Sequence, residues 1–265
     1  MPEPIRVLVH GAQGKMGQEV LNALCYDADV MPVSAVDSGV GETQLCLSNG
    51  SIIPLSSNLE AIMDVSCPDV VVDFTLAEAT MPAVRIAAQR KVGLVIGTTG
   101  LSSEDLAEID QITKLNELGA IVAPNFALGA VVMMYLSKVA AKFFDWAEII
   151  EMHHERKVDA PSGTAISTAK AMVESRGEPF LHCGAIKETV AGSRGGEIGG
   201  VAMHSVRLPG QLAHQEVILG ISGQTLRIRH DTINRECYMP GVLLAIKRVG
   251  ELRGLTYGLD TLLGL

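Results

Sequence analysis

Short apolar runs alternate with segments of helical periodicity along the first half of the chain. The runs are rich in β-branched residues, as expected of buried strands, and they span residues 5–10, 31–36, 69–74, 93–96 and 120–123. Continuous apolar strands separated by helices are typical of a parallel sheet that is covered on both faces. The pattern therefore predicts a doubly wound α/β domain, with residues 40–57 as irregular strands and loops.

The second half of the chain has a different pattern. Apolar residues near helical spacing predict one long helix from Leu128 to Phe144. We expect a mobile loop in the glycine-rich residues 192–200 and a helix over residues 235–250. The remaining segments are β-rich and predict an open mixed sheet in an α+β domain. They span residues 148–153, 201–208, 214–221 and 225–230.

Composition narrows the class of protein. The chain has 265 residues, 48% of them hydrophobic, which is ample for one large core or two smaller ones. A net charge of −9 argues against a general nucleic-acid partner. No apolar run approaches a membrane span, and five scattered cysteines without a C-x-x-C pair argue against a disulfide framework or a metal site. We therefore expect a cytoplasmic protein with no membrane, metal or nucleic-acid ligand.

A glycine-rich turn follows the first apolar run and precedes a helical segment. Its spacing is G-x-x-G-x-x-G, and such glycines let the backbone approach a pyrophosphate that sits on the helix N-terminus. The alternative is a tight turn in some other α/β protein. Asp37 ends the second run, where an acidic residue typically accepts hydrogen bonds from a ribose. The candidate residues of the turn are Gly11, Ala12, Gln13, Gly14, Lys15 and Met16.

Potential cations cluster in the block from Glu148 to Ala165. His153, His154 and Lys157 precede a Pro-Ser-Gly-Thr turn, which is placed to begin a helix. Cations beside a helix N-terminus suit a small carboxylate ligand, with an imidazole or amine to supply a proton. The alternative is that the histidines pack at a strand end and that the turn is an ordinary helix cap.

The block E-M-H-H-E-R-K-V-D-A-P-S-G-T-A resembles the substrate-site motif of the 4-hydroxy-tetrahydrodipicolinate (dihydrodipicolinate) reductase family. The strand-end segments GAQGKMG, DFT, GTTG and APNF resemble that family across the N-terminal half. The resemblance implies reduction of a cyclic imine with two carboxylates, by NADH or NADPH, in the diaminopimelate route to lysine.

The resemblance also implies residue roles. His153 is the proposed general acid, and Lys157 binds a carboxylate and assists protonation. His154, Gly163 and Thr164 contact the substrate. An alternative left open by the residues is that Lys157 donates the proton, because neighbouring positive charge disfavours protonated His153. The nicotinamide-ribose part of the cofactor site is formed by Gly97, Thr98, Thr99, Ala123, Pro124, Asn125 and Phe126.

Domain organisation and assembly follow from the same resemblance. It implies a Rossmann-like cofactor domain at residues 1–127, to which residues 236–265 return, and a substrate and oligomerisation domain at 128–235. Members assemble as homotetramers through the open sheet. The family often has Arg after the acidic residue, whereas Ser38 follows Asp37 here. A carboxylate without that cation repels a 2′-phosphate, so we favour NADH over NADPH.

Two other functions fit parts of the sequence. An amino-acid dehydrogenase on the same two-domain plan keeps the glycine turn but has no need of His-His-x-x-Lys with Pro-Ser-Gly-Thr. A cofactor-sensing binding protein keeps the fold but loses catalytic residues. Turnover of the cyclic imine separates both from a reductase.

Overall fold

A computed structural model describes residues 3–41 and 43–265 of the chain. The chain divides into two compact units. The first comprises Met1–Leu128 and Arg235–Leu265, and the second comprises Gly129–Asn234. In the described ranges, no helix is long and apolar enough to cross a membrane.

Strands and helices alternate through most of the first unit, whereas four consecutive strands end the second. The strands are β1 (Ile5–His10), β2 (Val30–Val36), β3 (Gln44–Cys46), β4 (Ile52–Ser56), β5 (Val70–Asp73), β6 (Gly93–Ile96), β7 (Gly119–Val122), β8 (Trp146–His153), β9 (Gly196–Ile198), β10 (Val201–Arg207), β11 (Ala213–Ile221), β12 (Gln224–Thr232) and β13 (Gly254–Tyr257). The α-helices are α1 (Lys15–Leu24), α2 (Leu59–Ser66), α3 (Ala77–Gln89), α4 (Ser103–Leu115), α5 (Leu128–Ala140), α6 (Gly163–Arg176), α7 (Met239–Val249) and α8 (Leu259–Leu263).

The first unit is built on an eight-stranded sheet with the order β13-β7-β6-β5-β1-β2-β4-β3. All of its neighbouring strands are parallel except β3 and β4. Helices α2, α3 and α4 share one apolar core with the sheet, while α1 packs with α7. The predicted doubly wound, Rossmann-like sheet is confirmed.

The strands of this sheet end level with one another. His10 pairs in register with Val36 on one side and Asp73 on the other. Asp73 pairs with Ile96, which pairs with Val122. The segments that follow these residues therefore emerge along one edge, where ligands of such sheets bind.

The second unit has a five-stranded sheet with the order β12-β11-β8-β10-β9. Strands β8 and β10 are parallel, and the other pairs are antiparallel. Alternate residues of β8 are buried, and Ala147 and Ile149 pack with Ala169 and Met172 of α6. Since side chains of one strand alternate between faces, Glu151 and His153 continue this core-facing row.

Some predicted elements differ from those observed. The long helix ends at Ala140 and continues as a 3-10 turn, Ala141–Phe143. The expected loop at 192–200 is wrong in part, because Gly196–Ile198 pairs with β10 as an edge strand. The helix expected over 235–250 begins as a 3-10 turn at Arg235–Tyr238, since Pro240 fits only the first turn of α7. Strands β3 and β4 lie within residues 40–57, where irregular strands and loops were predicted, whereas strand β13 and helix α8 were not predicted.

Candidate active site

The glycine turn lies at the end of β1 and has little room for side chains. Gly11 has φ +82°, and a Cβ there would lie 2.6 Å from the carbonyl oxygen of Phe74. A Cβ on Gly17 would lie 2.1 Å from the carbonyl oxygen of Gly11. Both positions therefore require glycine, which brings the start of α1 close to the strand end.

Hydrogen bonds within the first unit already engage the amides of this turn. The amides of Gly11 and Ala12 donate to the Val36 carbonyl oxygen at 2.9 and 3.1 Å, and that of Gly14 donates to the Gly11 carbonyl oxygen. The Gln13 amide donates to Oδ2 of Asp37 at 2.7 Å. Free backbone donors for an anion are thus the first-turn amides of α1, whose N-cap Gly14 has no capping side chain.

A cavity of about 450 Å³ opens beside this turn, within the size range of small-molecule sites. Asp37 lines it, and its Oδ1 accepts a hydrogen bond from the Ser38 amide at 2.8 Å. The carboxylate is thus fixed by two backbone amides with acceptor capacity left for ribose hydroxyls. A glycine turn, a helix N-terminus and this carboxylate fit a dinucleotide. The lining comprises His10, Gly11, Gln13, Gly14, Asp37, Ser38, Phe74, Thr75, Leu76 and Ala79.

A buried carboxylate joins three strand ends behind this cavity. Asp73 is 1% exposed, and its Oδ2 lies 2.9 Å from Nδ1 of His10. Its Oδ1 accepts hydrogen bonds from the hydroxyls of Thr98, Thr75 and Thr80 at 2.6, 2.8 and 3.1 Å. Burial alone would raise the pKa of Asp73, but the His10 and threonine hydrogen bonds outweigh it and lower the pKa.

A second, smaller cavity of about 70 Å³ lies further along the same edge. Thr98, Thr99 and Pro124 line it together with Tyr257 of β13. Other predicted cofactor residues lie behind the surface: Ala12, Ala123 and Phe126 are at most 2% exposed. Phe126 packs on Phe74 with ring centroids 5.9 Å apart, and the Asn125 side chain accepts a hydrogen bond from the Ala127 amide.

The remaining three predicted residues have no part in these linings. Lys15 is exposed on the first turn of α1, and Met16 is half-buried beside it. Gly97 lies against the ring of Phe74, since a Cβ would be 2.1 Å from a ring carbon. Position 97 therefore requires glycine, and the predicted cofactor contact of Gly97 stays a prediction.

In the second unit, a buried carboxylate near the end of β8 holds the surrounding side chains in place. Glu151 is 1% exposed, and its Oε2 lies 2.6 Å from Nδ1 of His153. Arg207 of β10, in register with His153, donates to both Glu151 oxygens at 2.8 and 2.9 Å. The Ser162 amide donates to Oε1 at 3.2 Å. Glu151 therefore holds the imidazole through Nδ1 and leaves Nε2 for chemistry.

The charges around His153 determine its protonation. Burial lowers the pKa of His153 below the ordinary 6.5, and the positive charges of Lys157 and Arg207 lower it further. The hydrogen bond and charge of Glu151 act in the opposite direction but do not prevail. The resting imidazole is therefore neutral near pH 7, and a bound anion would favour its protonation.

Lys157 lies in the turn after β8. Its Nζ donates to Oδ1 of Asp159 at 2.7 Å, while Arg207 donates to the Asp159 carbonyl oxygen at 2.6 Å. The Lys157 side chain is 22% exposed, so it can exchange Asp159 for a ligand carboxylate. His154 follows His153 in the chain, and its buried Nδ1 has no hydrogen-bond partner among the described residues.

The Pro-Ser-Gly-Thr turn begins α6, as predicted. The Ser162 hydroxyl accepts a hydrogen bond from the Ala165 amide at 3.2 Å, which caps the helix. The preceding amides, those of Gly163 and Thr164, have no intrahelical acceptor. A Cβ on Gly163 would meet nothing within 4 Å, so the helix N-terminus is open to a ligand.

Sequence reasoning missed several residues of both sites. The sequence analysis did not predict a role for His10, Asp73, Glu151 or Arg207. The signal that could have found them is a charged or imidazole side chain at the end of a predicted strand. In the glycine-rich residues 192–200, Arg194 donates to Glu148 Oε1 on β8. On β11, Nδ1 of His214 lies 2.7 Å from Oδ1 of Asp231.

Comparisons with known proteins cover nearly the whole chain. Family models described as the N-terminus and the C-terminus of dihydrodipicolinate reductase match residues 5–126 and 129–263. A 4-hydroxy-tetrahydrodipicolinate reductase of Dehalococcoides mccartyi is 55% identical over 99% of both chains. One from Moorella thermoacetica is 47% identical over 98% of both. A dipicolinate-bound dihydrodipicolinate reductase from Paenisporosarcina sp. TG-14 superposes with a TM-score of 0.86 at 40% identity, covering 97% of this chain and 99% of that one.

Proposed function

The chain belongs to the dihydrodipicolinate reductase family, and from this premise we propose how its residues perform the reaction. It reduces 4-hydroxy-tetrahydrodipicolinate to tetrahydrodipicolinate with a nicotinamide dinucleotide, taking up a hydride and a proton and releasing water, in the diaminopimelate route to lysine. The observation that carries the residue assignments is the buried Glu151, which brings His153 and Arg207 together beside Lys157 and the N-terminus of α6.

The cofactor site of the proposal is the strand-end edge of the first unit. The first-turn amides of α1 bind the pyrophosphate, and Asp37 accepts hydrogen bonds from the adenosine ribose. Thr98, Thr99 and Pro124 line the part of the edge that takes the nicotinamide ribose. When bound there, the nicotinamide supplies the hydride.

The proposed preference is for NADH. Asp37 is held by the Gln13 and Ser38 amides, so its negative charge stays at the ribose position. Ser38 supplies no cation to balance a 2′-phosphate, and no lysine or arginine is among the described residues that line the cavity. Lys15, exposed on the glycine turn, is the residue that could offset this preference.

The proposed substrate site is the end of β8. The solved relative carries dipicolinate, a small dicarboxylate, and the second unit offers two anion-binding groups for such a molecule. Lys157 binds one carboxylate in place of Asp159. The amides of Gly163 and Thr164, with the Thr164 hydroxyl, bind the other. His154, which follows His153 in the chain, is a further substrate contact in this proposal.

His153 delivers the proton in this mechanism. Glu151 holds the imidazole through Nδ1, so Nε2 is the atom that transfers the proton. The lowered pKa of His153 leaves the resting imidazole neutral. The dianionic substrate must therefore first raise this pKa by neutralising the positive charge of Lys157 and its neighbours. Direct donation by Lys157 remains the competing route, and the pH dependence of turnover distinguishes the two.

We also propose that residues 1–127 and 236–265 bind the cofactor, while 128–235 bind the substrate and form a homotetramer. The face of β8 opposite α6 supports this assembly, because half-buried Ile150 and Met152 lie on it. On the neighbouring strand β10, Val206 is in register with Met152 and is 36% exposed. Exposed apolar residues on a sheet face are typical of an interface. The proposed location is the cytoplasm.

The test is oxidation of NADH and NADPH followed at 340 nm, a property of the nicotinamide ring. The substrate is made in place from pyruvate and aspartate semialdehyde. Lys157→Ala should lower kcat/KM by about two or more powers of ten, whereas Lys142→Ala, an exposed control, should be unchanged. His153→Asn should abolish the pH dependence that its imidazole imposes on kcat. Wild-type turnover by Lys157→Ala would overturn the site assignment.

A further inference from the structure

The cofactor cavity contains little positive charge for the ligand it is proposed to bind. A nicotinamide dinucleotide carries an anionic diphosphate, yet among the described residues lining the cavity the one cationisable side chain is His10. The amides of Gly11, Ala12, Gln13 and Gly14 are already engaged within the protein. The anion is therefore left with the first turn of α1 and the imidazole of His10.

His10 is held in place rather than free on the surface. Its side chain is 13% exposed and lines the cavity, while its Nδ1 lies 2.9 Å from Oδ2 of buried Asp73. Because Nδ1 is committed to Asp73, Nε2 is the ring atom available to a ligand.

The groups around Asp73 leave its negative charge to be balanced by His10. The other carboxylate oxygen accepts hydrogen bonds from neutral hydroxyls, those of Thr75, Thr80 and Thr98. Among the described residues, no lysine or arginine lies within ion-pair distance of Asp73. A protonated His10 would thus have a buried counter-charge behind it and a cavity for an anion in front.

We propose that His10 is a cofactor-binding residue that donates a charge-assisted hydrogen bond from Nε2 to the anionic diphosphate, with Asp73 as its positioning residue. The proposal rests on the assignment of this cavity to a nicotinamide dinucleotide. It adds a side-chain contact to the backbone contacts of the glycine turn.

Two substitutions separate this role from simple packing. His10→Asn keeps an amide donor near the position of Nδ1, so it can bond Asp73, but it removes Nε2. His10→Gln keeps a donor near the position of Nε2 but loses the bond to Asp73. The contact predicts weaker ligand binding in His10→Asn than in His10→Gln, whereas a structural role predicts the reverse.

The measurement is a fluorescence titration with NADH, repeated with ADP-ribose as a competitor that has the diphosphate but no nicotinamide. His10→Asn should bind both about tenfold more weakly, as expected for one lost charge-assisted hydrogen bond, with a melting temperature close to wild type. His182→Asn, in the second unit, should bind NADH as wild type does. Wild-type affinity in His10→Asn, or affinity no better in His10→Gln than in His10→Asn, would overturn the proposal. If the wild-type protein binds neither NADH nor NADPH, the cofactor-site assignment itself fails.

Discussion

Replacement of Glu151 by Gln tests the group on which the substrate site depends. The carboxylate accepts hydrogen bonds from Arg207 through both oxygens and contacts Nδ1 of His153 at 2.6 Å. Glutamine has nearly the same shape, but it carries no charge and presents an NH₂ group to one of these donors. The substitution therefore leaves Arg207 without a counter-charge and His153 without its acceptor.

The expected loss of stability follows from burial. Removing one partner of a buried ion pair costs about 3–5 kcal/mol. Glu151 is 1% exposed and Arg207 is 18% exposed, so we take the lower limit, about 3 kcal/mol. At about 2–4 °C per kcal/mol for a chain of this size, the melting temperature should fall by roughly 6–12 °C. Loss of the His153 orientation should lower kcat about 100-fold, with a smaller change in KM.

The assay combines thermal unfolding by circular dichroism with turnover at 340 nm. Glu148→Gln is the matched control on the same strand, because Glu148 is 35% exposed and contacts Arg194 and His204 instead. It should cost less than about 1 kcal/mol and leave kcat unchanged. The double variant Glu151→Gln/Arg207→Met removes the unpaired charge as well, so it should recover part of the stability but not the turnover.

Two outcomes would refute this reasoning. If Glu151→Gln unfolds and turns over like the wild type, the buried carboxylate neither compensates Arg207 nor orients His153. If the double variant recovers turnover along with stability, the activity loss came from the unpaired Arg207 charge and not from the imidazole.

Two further predictions concern pH and cofactor choice. The pKa of His153 is lowered on folding, so the unfolded chain binds more protons as pH falls below about 6.5, and the wild type should lose stability there. His153→Asn should lose less stability between pH 7.5 and 5.5 in urea unfolding, and equal losses would contradict the assignment. Ser38→Arg places a cation beside Asp37 and should tighten NADPH binding about tenfold relative to NADH, measured by fluorescence titration against Ser38→Ala. An unchanged ratio would show that another group sets the preference.

Local pattern was sufficient for the parallel sheet and for the glycine turn. Strands β1, β5 and β6 consist mostly of apolar residues, and the G-x-x-G-x-x-G spacing predicts the close approach seen at Gly17. Strand β13 could not be found in this way. Its four residues carry no periodicity. Their strand conformation depends on parallel pairing with β7, in which Gly254 pairs with Gly119.

The chemistry around the predicted histidine was also beyond local pattern. Glu151 and Arg207 are 56 residues apart in the chain, as His10 and Asp73 are 63 apart. Each pair meets because two parallel strands align in register, and nothing in either segment alone specifies that register. The sequence predicted that neighbouring positive charge disfavours the protonated form of His153. Burial makes the largest contribution to the lowered pKa, and it could be known only from the fold.

Each of the two units contains a buried carboxylate paired with a histidine, but the surroundings of the two pairs differ. In each, a carboxylate that is 1% exposed near the end of a parallel strand contacts the Nδ1 of a histidine. The hydroxyls around Asp73 leave its negative charge to His10, whereas Arg207 neutralises Glu151 and Lys157 adds positive charge near His153. In the first arrangement a buried carboxylate lies behind the imidazole, which suits binding of a diphosphate in front of it. The second keeps the imidazole neutral until an anion arrives, so proton delivery depends on substrate binding.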